Sequence, residues 1–324
     1  MSDGRTASEE VPADLGRFGY EETLKRDFDL WSIFALAFAF ISPIVALYAI
    51  FGLAFAAGGP AFWWGFLVVL GGQALVALVF AELVSRWPIE GSVYQWSRRL
   101  VGNGYGWFAG WAYMWTLVIA MAAVAYGAAG FLAPLVGVQN PGNGTLVLLS
   151  LGVVVFATFI NTVARAVLKI MVGLSIVAEF VASLAIGTIL LLFYRENPIS
   201  VIFSSSGTAG GAFDLAGFIV AVSFIGWSFV GFESAGAVAE EVRDAERNVP
   251  RAMLLSLVIV AAVAMYAGLA LILAIPNIGA VVAGNVADPI TNTLAAKLGS
   301  GITTPLFAMI VVGFVASFLA LQTS

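Results

Sequence analysis

From residue 30 onward the chain alternates long apolar runs with short polar breaks, and this alternation limits the possible folds more than any single motif. A helix needs about 20 residues to cross ~30 Å of hydrocarbon. Eight runs reach that length: 30–56, 62–84, 107–136, 145–164, 170–194, 213–238, 252–275 and 302–321. Barrel strands would show segments of about ten residues with alternating polarity, and these runs are apolar throughout. The expected fold class is therefore an all-α polytopic membrane protein. A water-soluble monomer is excluded by composition: 61% of residues are hydrophobic and 10% charged, against roughly 25% charged in a soluble domain.

The charges that remain are unevenly placed. Residues 1–30 hold eight acids and four bases and read as a solvated tail, residues 1–29, with a short amphipathic helix near residues 20–26. Of the 14 bases, Arg5, Arg17, Lys25 and Arg26 lie in this tail. Arg86, Arg98 and Arg99 follow span 2, Arg165 and Lys169 follow span 4, and Arg243, Arg247 and Arg251 follow span 6. Only Arg195 and Lys297 lie on the other side. The positive-inside rule then puts the N-terminus in the cytoplasm of a multi-pass protein, most simply in the plasma membrane. A net charge of −5 without a large basic cluster argues against nucleic acid. The absence of Cys and His removes thiolate chemistry and the usual proton carrier and metal ligand. No cofactor and no metal are expected, and an enzyme is disfavoured for want of convergent catalytic groups.

The loops carry their own patterns. Residues 91–103 place Val93, Trp96 and Leu100 on one side and Gln95, Arg98 and Arg99 nearer the other, the pattern of a short helix in the inner interface. Residues 288–298 open with Asp-Pro, a helix start, and predict a second short helix capping the outer face. Glu82 and Arg86 are one turn apart and predict an exposed pair. Asn161 and Thr162 read as helix-capping residues, and Asn143-Gly144-Thr145 as a chance match to a glycosylation triplet.

Two spans are interrupted. Span 1 contains Ser42-Pro43, where Pro removes a donor and clashes with the preceding turn. Span 6 contains Gly226, Gly231 and Gly236 around an acid, Glu233. A single kink in a membrane helix means only local bending. Two broken helices five spans apart, one beside a carboxylate, instead point to an inverted-repeat transporter whose half-helix ends line a midplane site. Glu179, well inside span 5, is a second intramembrane acid and a functional candidate by default. Its plainer alternative is a protonated side chain bonded to a neighbouring helix.

Three segments carry a resemblance. FAELVSRWPIEGSVYQWSRRL (residues 80–100), SFVGFESAGAVAEEVRDAERNVPRAM (228–253) and FISPI (40–44) resemble the amino acid–polyamine–organocation permeases, most closely their amino acid/choline branch. The resemblance implies a leucine-transporter-type bundle with helices 1 and 6 discontinuous. Residues 30–194 would form a first five-helix repeat and 213–321 part of a second. It implies a secondary transporter moving amino acids or small amines such as γ-aminobutyrate or choline, with H+ or Na+ coupling or exchange. Ser42, Pro43, Ile44 and Val45 would take the substrate carboxylate. Gly231 and Phe232 would offer carbonyls to its ammonium, and Trp227 and Phe229 would stack on a cation or close a gate. Glu233 would pair with the amine or cap the second half-helix. Glu179 and Ser317 would serve the coupling proton or ion. Glu240, Glu241, Arg243 and Arg247 would form the inner gate network, with a merely solvated loop as the plainer alternative. Ser-Pro-Ile-Val departs from the Gly-Ser-Gly of many relatives, which leaves fewer N–H groups for a carboxylate. A ten-helix core needs more spans than the eight present, so a C-terminally truncated permease is expected. The alternatives are an uncoupled channel or sensor, or a fragment without transport of its own.

Overall fold

The computed structural model describes residues 26–163, 173–206, 211–286 and 288–323. Its elements are helical except for an isolated parallel bridge between Phe28 and Val242. In chain order they are α1 (Leu30–Ile41), α2 (Pro43–Tyr48), α3 (Phe51–Gly58), α4 (Trp63–Arg86), α5 (Ser92–Val101), α6 (Asn103–Leu135) and α7 (Asn143–Val163). There follow α8 (Gly173–Phe193), α9 (Leu215–Ser228), α10 (Ser234–Ala237), α11 (Ala245–Ala274), α12 (Ile278–Val282), α13 (Pro289–Leu298) and α14 (Ser300–Thr323). Seven helical stretches among the described residues are long and apolar enough to cross a membrane. The sixth expected run, 213–238, holds instead the shorter apolar helix α9, cut short by the break after Ser228.

The first span also differs from its expected extent. It does not run to residue 56: Ala49 and Ile50 form a turn closed by the Ile50 N–H on the Leu47 carbonyl, and α3 leads by the tight turn Gly59–Phe62 into α4. The expected helix near residues 20–26 lies outside the described residues except for Arg26, and so do Arg165 and Lys169.

Burial sorts the helices into an inner and an outer set. α11 is buried along most of its length and packs on α4, α1, α8 and α2, while α14 packs on α6 and α1. Small residues let α11 approach its neighbours closely: Ala252, Ala261, Ala264, Ala267 and Ala270 face inward. In lipid, where apolar side chains gain little from leaving the hydrocarbon, such close backbone packing drives association. α4 and α7 instead present Leu75, Leu78, Leu148, Val155 and Phe159 outward. Water would penalise those faces and a hydrocarbon solvent does not. The chain is an integral membrane protein of all-α architecture.

The short elements follow from local chemistry. Asp288 caps α13, its Oδ1 accepting from the Ile290 and Thr291 N–H groups, both at 3.0 Å. α5 forms over the expected segment and buries Trp96, while Leu100 near its C-terminal end is exposed. Glu82 and Arg86 pair at 2.6 Å on an exposed face. The Thr162 hydroxyl donates to the Thr158 carbonyl inside α7 at 3.0 Å.

Candidate functional site

The first break lies between α1 and α2. The residue before a proline is disfavoured in the α region, and Ser42 leaves it with φ 51° and ψ 114°. An unbroken helix would join the Ile44 N–H to the Phe40 carbonyl. Both halves of that lost bond are recaptured from other helices. The Ile44 N–H donates to Glu179 Oε2 of α8 at 2.7 Å, and Ser317 Oγ of α14 donates to the Phe40 carbonyl at 2.9 Å. Ser42 completes the repair, its hydroxyl donating to Glu179 Oε1 while accepting the Val45 N–H at 3.1 Å. Glu179 is 2% exposed. No ion pair to it occurs among the described residues, so its two oxygens are held by these donors alone.

Glu179 is set in place by the helix that carries it. Immediately after it, Phe180–Ala185 widens into π-type turns, a local change of pitch often found at functional positions. The Tyr48 hydroxyl donates to the Ala182 carbonyl in this stretch at 2.9 Å, a second tie between α2 and α8. From α14, Gly313 leaves the room: a Cβ there would lie 2.8 Å from Ile44 Cδ1 and 3.4 Å from Glu179 Oε1.

The second break, between α9 and α10, is repaired within itself. Glu233 Oε2 accepts the Gly231 N–H at 2.9 Å, and the Val230 N–H turns back to the Trp227 carbonyl at 3.2 Å. The Tyr113 hydroxyl of α6 donates to Glu233 Oε1 at 3.2 Å. Glu233 therefore does not cap α10 with its side chain. Gly231 adopts φ +122°, a conformation L side chains avoid. Its Cα faces Phe40, whose ring would lie 2.4 Å from an added Cβ. The two breaks are in contact through this pair.

Between them lies a cavity of about 30 Å³, room for a water molecule or two. Phe40, Ile41, Val45 and Ala46 line it from the first break, and Trp227, Ser228 and Val230 from the second. Thr116, Leu117, Ala120 and Val124 close it from α6, and Ser317 and Leu321 from α14. No charged residue lines it. The Ser228 hydroxyl, on a residue 2% exposed, has no hydrogen-bond partner among the described residues.

The expected residues divide around this cavity. Val45, Trp227 and Ser317 line it. Ser42, Pro43, Ile44 and Glu179 sit behind the first break, and Gly231 and Glu233 form the second. Phe229 and Phe232 turn away into the core, against Phe66 and Phe80. Sequence reasoning missed Thr116, Ser228 and Tyr113, and nothing in their local pattern separates them from other polar residues in apolar helices.

The expected gate residues are gathered at one end but not joined to each other. Among the described residues no ion pair links Glu240, Glu241, Arg243 and Arg247. The Phe28 N–H donates to the Glu241 carbonyl at 3.1 Å, the Arg243 N–H to the Phe28 carbonyl at 2.9 Å, and Arg243 Nε to the Arg26 carbonyl at 3.0 Å. Glu240 Oε1 accepts the Glu90 N–H at 3.1 Å. Burial, and then the nearby Glu240 and Glu241 carboxylates, push the Glu90 carboxyl above its ordinary range. The end is thus fastened by backbone bonds from the segment preceding α1.

A membrane bundle in which two spans come apart side by side around a small hydroxyl-bearing cavity has the build of a helical transporter core. Residues 28–323 match the model of the amino acid permease family, and the chain belongs to that family. It is 30% identical over 246 residues to the branched-chain amino acid permease BcaP of Lactococcus lactis, covering 71% of this chain and 51% of that one. It is 26% identical over 271 residues to the GABA-specific permease of Saccharomyces cerevisiae, covering 76% and 46%. An uncharacterised amino-acid permease of Schizosaccharomyces pombe is 29% identical over 263 residues, covering 75% and 48%. The chain spans about half the length of these curated relatives.

Proposed function

We propose that this chain forms the substrate-handling part of a secondary transporter that moves amino acids or related small amines across a membrane by alternating access, and that it is not an enzyme. The observation that carries the reading is the meeting of two discontinuous helices, through Gly231 and Phe40, at a cavity they both line. Residues 30–194 form the first repeat of an inverted pair and 213–321 part of the second, with the N-terminus cytoplasmic and the protein in the plasma membrane. The substrate lies between the breaks, against Val45, Trp227, Ser228 and Ser317. The space there is well below the ~300 Å³ at which ligand pockets begin, so the breaks must part to admit it. Ser42, Pro43 and Ile44 with Gly231, Phe232 and Glu233 shape its two ends.

Coupling falls to Glu179 and Ser317, the two side chains that hold the severed Ile44–Phe40 bond. A proton taken up by Glu179 weakens its hold on the Ile44 N–H and frees the first break to move; Tyr48, bonded to the Ala182 carbonyl of the same helix, is a further titratable group there. The backbone ties from Phe28 to Glu241 and Arg243 serve as the inner gate, released when the cavity opens inward.

Counterflow in reconstituted vesicles tests the reading. Labelled leucine or γ-aminobutyrate should accumulate against excess unlabelled solute trapped inside, and its absence with both would contradict transport. Uptake by Glu179→Gln should lose its pH dependence, and a dependence as steep as wild type would remove Glu179 from coupling.

A further inference from the structure

The first break brings its own carboxyl group. Two donors that a half-helix end would offer a substrate carboxylate, the Ile44 N–H and the Ser42 hydroxyl, are both taken by Glu179. The next N–H, that of Val45, is taken by the Ser42 hydroxyl, and Pro43 has none to give. A ligand-facing surface nevertheless adjoins these donors, since Ile41 and Val45 line the cavity together with Ser228, whose buried hydroxyl has no partner among the described residues.

We propose that Glu179 is a specificity-determining residue that competes with the carboxylate of a zwitterionic substrate for Ser42 and Ile44. This rests on the reading of the cavity as the substrate site. The Ile44 N–H and the Ser42 hydroxyl can each donate to Glu179 or to a substrate carboxylate but not fully to both, so a zwitterion gains the donors only by driving Glu179 off them. An amine without a carboxylate meets no such rival. Glu179 arrives from α8, which reaches the break only through tertiary packing, so it can withdraw without unfolding α2.

The test pairs each zwitterion with its decarboxylated amine: leucine with isoamylamine, and γ-aminobutyrate with n-propylamine. Binding to the purified full chain is measured by calorimetry. Glu179→Gln should tighten leucine or γ-aminobutyrate about tenfold, the worth of a hydrogen bond to a charged group, and leave the matching amine within about twofold. Weaker zwitterion binding, or an equal change for both members of a pair, would overturn the proposal. A wild-type measurement stands beside it should the variant not fold. Infrared difference spectra should show a buried carboxyl band shifting on addition of leucine and staying put with isoamylamine. A shift with both, or with neither while both bind, contradicts it. Binding of none of the four probes sinks the site reading itself, a result distinct from binding without competition.

Discussion

The two breaks solve one problem in opposite ways. At each, a helical hydrogen bond is severed in the interior and its donor is taken by a carboxylate. In the second break that carboxylate is Glu233, two residues from the Gly231 it serves. In the first it is Glu179, 135 residues from Ile44, and the severed acceptor is met by Ser317, 277 residues from Phe40. A repair made within one turn stays intact when helices move as rigid bodies. A repair made by two other helices is broken and remade by such movement. The first break is therefore the element suited to switching, and the second is a fixed wall of the same cavity.

The largest effect should come from disturbing the fixed wall. Gly231→Ala forces an L residue to φ +122° and drives its Cβ into Phe40, a cost on the order of 3 kcal/mol or more from strain and overpacking combined. A steep fall in thermal stability in detergent is expected, and a variant as stable as wild type would show that this break also adapts.

A double-mutant cycle sharpens the contrast. Glu179→Gln and Ser317→Ala act on the two halves of one severed bond and should couple by about 1 kcal/mol, whereas Glu233→Gln and Ser317→Ala should add within about 0.5 kcal/mol. Equal coupling in both cycles would erase the distinction between the breaks. Tyr48→Phe, which deletes the tie to the Ala182 carbonyl, should lower stability by about 1 kcal/mol.

Much of this geometry was readable before any coordinates, and the limit is physical. Ser42-Pro43 and the glycines around Glu233 mark the breaks because proline and glycine act on their own backbone. Glu179 and Ser317 stood out as polar groups in apolar helices, and both are found holding the first break. Their partners were not legible, since contacts 135 and 277 residues apart are set by packing. Tyr113 and Ser228 were missed for the same reason. The backbone ties of Phe28 to the loop rich in Glu and Arg were likewise not legible, since its bridge to Val242 leaves no pattern in composition.

The smallest predicted effect lies in that loop. Glu90 titrates above its ordinary range, mainly through burial. The folded state then holds its proton more tightly than the unfolded one, and Glu90 contributes stability at low pH that is lost as pH rises through the raised value. Unfolding followed from mild acid to neutral should show this decline in wild type and a flatter profile in Glu90→Gln; parallel profiles would count against it.

The chain has no cysteine, so Ser228→Cys creates a lone thiol in the cavity wall, and Ser183→Cys creates one in α8, buried and away from the cavity. The rate of alkylation by a small permeant reagent, measured with and without leucine or γ-aminobutyrate, shows directly whether solute lies between the breaks. Protection at position 228 and none at 183 is the predicted result. Equal protection at both positions, or none at 228 by a solute that demonstrably binds, would contradict the placement of the substrate.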